Sequence, residues 1–226
     1  MSTAPGNPAR LVILLSGRGR NLEAIMAAIA AERLPARIVL VISDQPAARG
    51  LRIARQAGLP WAVLESAGYP NRAAYDQALV ARIAAARPDW IALAGFMRIL
   101  GSALVQHFAG RLVNIHPSLL PRYKGLQTHE RVLAGSDTRH GASVHFVTDM
   151  LDSGPIIRQG SIAIRADDTP DSLADRLMVR VEQRLYPAAL ADLVSGRVRW
   201  HNGRVWRDGR PQEKPLHEDY DFRTPR

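Results

Sequence analysis

The sequence predicts an α/β fold: one mostly parallel sheet with helices on both faces, turning antiparallel toward its C-terminal part. Three observations carry that expectation. Through the first half of the chain, short runs that are apolar throughout alternate with longer stretches whose apolar residues recur at helical spacing. Glycine or proline stands at most of the junctions between them. Past residue 140 the apolar runs lengthen and partly alternate, as in strands that pair antiparallel.

In chain order, "RLVILLS" has no helical period and runs into Gly17 and Gly19, so it is a buried strand ending in a turn. "NLEAIMAAIAAERL" follows as a helix and "RIVLVISD" as a second strand. "ARGLRIARQAG" is a helix closed by Gly58, "WAVLE" a third strand, and "NRAAYDQALVARIAAARP" a helix stopped by Pro88. "DWIALAG" and "RLVNI" are the fourth and fifth strands, with a short helix near 101–108 between them. "GASVHFVT" and "PIIRQGSIAI" then form an antiparallel pair. Thr169 and Pro170 open a long helix as N-cap and first-turn proline, and it runs through "SLADRLMVRVEQRLY" toward Ser195 and Gly196. "RVRWHNGRVW" is a hairpin turning at Asn202–Gly203. From Arg207 onward the chain is polar and proline-bearing, with five positive and five negative charges. The expected organisation is therefore a disordered leader over 1–9, one domain over 10–206 and a mobile polar tail over 207–226.

Composition narrows the class. At 226 residues the chain suits one sizeable domain, and 46% hydrophobic with 23% charged residues is ordinary for a globular protein. No apolar run approaches the roughly 18 residues of a membrane helix, and the N-terminus lacks the apolar core of a secretory signal. The absence of cysteine excludes disulfides, thiolate metal sites and thiol nucleophiles, and fits a reducing cytoplasm. The net charge is +9, with Lys124 and Lys214 the only lysines among 30 basic residues. That balance fits a nucleic-acid partner, an anionic small substrate or a compositional bias toward arginine, and since no basic block forms, charge alone does not choose.

Two motifs carry chemistry. "SGRGRNLEA" joins the first strand to the first helix, where free backbone amides and the helix dipole favour an anion such as phosphate. Leu22 stands where a dinucleotide fingerprint needs its third glycine, and no Walker lysine follows, so a single phosphate is the better reading. Asp44, at the end of the second strand, is expected to form a turn rather than hold a ribose. In "LVNIHPSLLP", Asn114 and His116 lie two apart on a strand and project to one side, before Pro117 turns the chain away. At the carboxyl end of a parallel strand, an amide donor beside an imidazole suits an oxyanion on a carbonyl carbon. The stretch taken alone is equally compatible with a turn-capping asparagine and a packed loop histidine.

Longer stretches shift that balance. "SGRGRNL", "GFMRIL", "NIHPSLLP", "SVHFVTDMLDSGP" and "EQRLYP" together resemble, in order and spacing, the formyltransferase family that uses 10-formyl-tetrahydrofolate. The resemblance spans about Leu11 to Trp206 and implies a single-domain Rossmann-like formyltransferase fold. It further implies a transfer of the formyl group from 10-formyl-tetrahydrofolate to the amine of glycinamide ribonucleotide, in purine synthesis. By the same resemblance Asn114, His116 and Asp152 are catalytic. Gly19, Arg20 and Asn21 hold the substrate phosphate and Glu182 its ribose. Arg72, Met97, Arg98, Ile99 and Leu100, with Asn114, form the folate site. No metal is expected, and His129, His140 and His145, which lack ligand-like spacing with acidic partners, are expected to be structural. The expected partners are small molecules, neither nucleic acid nor membrane, and the expected assembly is a monomer or weak homodimer in the cytoplasm.

The chain departs from the family's pattern at three places. Serine is usual at Arg20, a small or neutral residue at Arg18, and histidine in some relatives at Gln127. A guanidinium at position 20 is expected to replace the lost hydroxyl contact to phosphate. Siblings of the family that formylate a charged tRNA add a C-terminal nucleic-acid-binding domain, and those that hydrolyse the donor add an N-terminal regulatory one. The short ends of this chain favour neither.

Overall fold

Leu11, Ile13 and Leu15 of the first strand face one apolar core while Val12 and Leu14 face another, so that strand is buried on both sides and lies at the centre of a sheet. The structure is a computed structural model that describes residues 7–221. The elements run β1 (Ala9–Leu15), α1 (Arg20–Ala30), β2 (Ala36–Ser43), α2 (Arg49–Gln56), β3 (Trp61–Val63), α3 (Arg72–Ala85), β4 (Trp90–Leu93), α4 (Ser102–His107) and β5 (Leu112–His116). They continue as α5 (Thr128–Leu133), β6 (Arg139–Phe146), β7 (Ile156–Ala163), α6 (Pro170–Leu177), α7 (Gln183–Val194), β8 (Val198–His201), β9 (Arg204–Arg207), β10 (Arg210–Pro211) and β11 (Leu216–Asp219). The main sheet has the order β11-β7-β6-β5-β4-β1-β2-β3. β3, β2, β1, β4 and β5 are parallel, and β6 pairs antiparallel with both β5 and β7. This is the mostly parallel sheet with an antiparallel C-terminal part that the sequence predicts. One face is covered by α1, α2, α6 and α7, the other by α3 and α4.

Local signals explain the element ends. Asn71 caps α3 by accepting from Ala74 N at 2.9 Å. Thr169 and Ser172 form a capping box at α6, with Pro170 in the first turn. The hairpin of β8 and β9 turns at Asn202 (φ 50°) and Gly203 (φ 73°), the two positive φ values that this turn requires.

The structure departs from the sequence reading at the long C-terminal helix and at the tail. The helix is interrupted by a π turn over Met178–Glu182 before α7 resumes. One extra residue in a turn rotates the following face by about 100°. Glu182, the last residue of that turn, is buried. The expected leader lies largely outside the described residues, and Ala9 already belongs to β1.

Residues 207–221 do not form a mobile tail. β11 adds to the main sheet parallel to β7, and Tyr220 is buried with its ring against Gly160. Arg158 donates to Glu218 at 2.6 Å and to Asp192 at 2.7 Å, and Arg207 donates to Asp192 at 2.8 Å. Burial pushes the Asp192 carboxyl up, but the two guanidiniums hold it below its ordinary value. Balanced charge in the sequence therefore reflects ion pairs made with the domain, a pattern that periodicity cannot reveal. Ending the chain after Arg207 should cost about 3 kcal/mol, from the lost tyrosine burial and the loss of Glu218 from Arg158, which keeps Asp192, lowering the melting temperature by roughly 6–12 °C. Calorimetry of the truncated protein checks this, and an unchanged melting temperature would mean that β11 contributes nothing.

Candidate active site

The chain leaves β1 for β2 on one side and returns to β4 on the other, so the loops after β1 and β4 diverge at a topological switch point. Their bases are joined: Ser16 N donates to Gly95 O at 3.0 Å, and Met97 N to Ser16 Oγ at 2.8 Å. Ser16 Oγ in turn donates to Asp44 Oδ1 at 2.5 Å, and Arg98 lies 3.8 Å from Asp44. Asp44 thus anchors the two loops. On the next strand the register Leu93↔Asn114 sets the end of β5 beside that of β4. Below them, the buried Tyr186 hydroxyl of α7 lies 3.0 Å from Leu93 O and 3.1 Å from Val113 O.

Asn114, His116 and Asp152 converge. Asp152 sits at φ 45° in the loop between β6 and β7, and its buried carboxylate accepts from Gly125 N at 2.9 Å. His116 Nδ1 lies 3.4 Å from Asp152 Oδ2, and His116 Nε2 lies 2.9 Å from Tyr123 O. Both ring nitrogens therefore face acceptors, an arrangement that a doubly protonated imidazolium satisfies in full. The antiparallel register sets Asn114 directly opposite His145. His145 Nδ1 faces the carbonyl of Phe146 at 2.9 Å and so carries the proton, leaving Nε2 to accept from Asn114 Nδ2 at 3.2 Å. Burial lowers His145 from its ordinary value, keeping this neutral tautomer. His145 thereby sets which end of the Asn114 amide is the donor end, and its Nε2 is 3.7 Å from Asp152 Oδ1. Sequence spacing, which makes it structural, gives no signal of this cluster; only the strand register does.

The glycine loop is held by close backbone approach. A Cβ on Gly19 (φ 77°) would meet Gly50 Cα at 2.6 Å, so α2 packs directly on the loop. Gly19 is the N-cap of α1 and supplies no side-chain cap, which leaves first-turn amides available to an anion. Asn21 is buried; its Nδ2 donates to Glu182 Oε2 at 2.9 Å, while its Oδ1 has no partner. Burial raises the Glu182 carboxyl above its ordinary value, opposed by the Asn21 hydrogen bond and Arg20. Arg20 itself donates to Asp175 Oδ1 of α6 at 2.5 Å.

A cavity of about 250 Å³ is lined by Arg72, Tyr75, Asp76, Met97, Arg98 and Ile99. Arg72 Nη2 donates to Ile99 O at 2.9 Å and fixes the loop after β4 to the start of α3. Met97 and Ile99 are 69% and 61% exposed, far beyond what an apolar side chain gains from water, whereas Leu100 is turned into the core. Four of the five loop and helix residues expected to bind folate thus line one cavity. Among the described residues, no group of three or more His, Asp or Glu could hold a metal ion, and no helix is long and apolar enough to cross a membrane.

With this geometry the chain belongs to the formyl transferase family, whose model matches residues 9–190. It is similar, at 44% identity over 199 residues, to phosphoribosylglycinamide formyltransferase of Escherichia coli (strain K12), a match covering 88% of this chain and 93% of that protein. The trifunctional purine biosynthetic protein adenosine-3 of Drosophila melanogaster is also 44% identical, over 83% of this chain but 14% of its own length. The solved phosphoribosylglycinamide formyltransferase of Coxiella burnetii superposes with a TM-score of 0.89 at 45% identity, over 94% of this chain and all of that one.

His129 and His140 form a second imidazole pair, Nε2 of His140 lying 3.1 Å from Nδ1 of His129. Such a contact needs one donor and one acceptor, so it does not survive when both rings are cations. Burial lowers both, His140 from 6.5 to about 3. Between those values the unfolded chain binds more protons than the folded one. The stability due to this pair is therefore complete above pH 6.5 and is lost as pH falls toward 3. His140→Gln should flatten the acid side of the curve of stability against pH, by up to about 1.4 kcal/mol per pH unit. Urea titrations at several acidic pH values check it, and a parallel curve would exclude His140 as a source of the slope.

Proposed function

We propose that the chain transfers the formyl group of 10-formyl-tetrahydrofolate to the glycinamide amine of 5-phosphoribosylglycinamide, giving formylglycinamide ribonucleotide and tetrahydrofolate in purine synthesis. The observation that carries this reading is the meeting of Asn114, His116 and Asp152 at β5, in a chain of this family whose neighbouring strands β4 and β1 lead into the Arg72 cavity and the glycine loop. The amine attacks as free base, so a C–N bond forms at the formyl carbon and its oxygen becomes an oxyanion. The Asn114 N–H and the His116 imidazolium stabilise that charge. Asp152, beside His116, orients a path by which the amine's proton reaches the leaving folate nitrogen as the old C–N bond breaks.

The binding residues follow. Gly19, Arg20 and Asn21 take the substrate phosphate. Glu182 and the unpartnered Asn21 carbonyl offer acceptors to the sugar hydroxyls, which supports a ribose here because an orphaned buried acceptor is otherwise costly. Folate enters the cavity of Arg72, Met97, Arg98 and Ile99, with Leu100 behind it and Asn114 at its reactive end. The reaction uses small molecules, not nucleic acid or membrane, and no metal; the enzyme acts in the cytoplasm as a monomer or weak homodimer.

Formyl transfer measured from 10-formyl-tetrahydrofolate to 5-phosphoribosylglycinamide, against charged tRNA and water as acceptors, tests the reading, and a preference for either rival acceptor would replace it. Asn114→Ala and His116→Ala should each lower kcat by about 10²–10³-fold, the range for one oxyanion donor, with the circular dichroism spectrum unchanged. Near-normal turnover by folded variants would remove the oxyanion role.

A further inference from the structure

Arg20 begins α1, and its guanidinium neither points to open solvent nor stands free for a ligand. Its Nη1 donates to Asp175 Oδ1 at 2.5 Å, and Arg18 Nη1 is 3.9 Å from the same oxygen. One carboxylate on α6 is thus shared by two arginines of the glycine loop. The arrangement is superficial: the side chains of Asp175 and Arg18 are 58% and 75% exposed, and that of Arg20 is 26% exposed. Exposed pairs of this kind are weak and readily broken. A second tether joins the same loop to the same helical stretch from within, since Asn21 donates to the buried Glu182. The loop therefore stays attached when the outer pair opens. The adjoining Asn21 Oδ1 is buried and without a partner, and the first turn of α1 lacks a side-chain cap. Both point to a ligand at this place, independently of the arginines.

A carboxylate on a guanidinium and a phosphate on a guanidinium are the same contact chemically, differing in charge. We infer that Asp175 is an exchangeable anion: it holds Arg20 until the substrate's phosphate displaces it. This rests on the reading that the glycine loop takes that phosphate. Displacement is favourable for a dianionic phosphate monoester, which brings more charge than the carboxylate it replaces. It is unfavourable for a singly charged carboxylate or chloride, which only matches Asp175. Asp175 thereby determines specificity, raising the threshold that an anion must pass to occupy the loop.

The test compares wild type, Asp175→Asn, Arg20→Ser and the double variant, using 5-phosphoribosylglycinamide as ligand and inorganic phosphate and acetate as competitors. Asp175→Asn should lower the substrate's KM and calorimetric Kd by about fivefold, the upper range of an exposed ion pair. It should strengthen inhibition by phosphate and by acetate, with the gain on KM rather than kcat. In the Arg20→Ser background the same substitution should have less than half that effect, as a coupled pair requires. A merely structural link between loop and α6 predicts the opposite sign, weaker binding on loss of Asp175. Unchanged or weakened binding in Asp175→Asn would overturn the exchange, as would an equal gain in the Arg20→Ser background, which would assign the effect to net charge. Wild type that neither binds nor formylates the ligand would instead sink the functional reading, and the exchange with it.

Discussion

A buried carboxylate needs compensation, and the site is arranged around that of Asp152. Left alone in a dry environment, such a charge would cost several kcal/mol or take up a proton. Here it accepts from the backbone of Gly125 and faces His116. These partners come from the loop after Pro121 and from β5, so the one charge, on the loop between β6 and β7, draws three segments of the chain together. Asp152 itself adopts φ 45°, a backbone conformation disfavoured for a residue with a Cβ and tolerated where the surroundings over-determine it.

The sheet makes that convergence possible by changing direction next to the site. β5 is the last strand of the parallel block, and β6 returns antiparallel against it. In the parallel block all loops at one end belong to the ligand side. The antiparallel strand then brings His145, one residue from its end, level with Asn114 in the middle of β5. From α7, Tyr186 lies within hydrogen-bonding distance of the carbonyls of Leu93, at the end of β4, and Val113, in β5.

Charge is distributed by the same logic at two depths. Deep pairs, Asn21 with Glu182 and Arg158 with Glu218, fix the positions of the glycine loop and the last strand. Shallow pairs, Arg20 with Asp175 and Arg98 with Asp44, lie where solvent or a ligand reaches at least one partner. Part of the arginine content is thus matched by carboxylates in space. A net charge of +9 is no guide to where a positive surface lies.

The sequence by itself determined the alternation of strands and helices, the parallel block, the hairpin at Asn202–Gly203 and the cap at Thr169, because each rests on local periodicity or turn chemistry. It also marked Asn114 and His116 as neighbours on one side of a strand, since residues two apart on an extended chain share a face. Asp152, Glu182 and Arg72 were legible only through the likeness of their motifs to a family, because neither spacing nor composition sets them apart. The partnership of His145 with Asn114, the burial of Glu182 in a π turn, the capture of Arg20 by Asp175 and the strand formed by 216–219 were decided by tertiary structure. All four depend on strand register, on one extra residue in a helical turn, or on charges between 34 and 161 residues apart. A local pattern carries none of these, because the partners become neighbours only when the sheet is assembled.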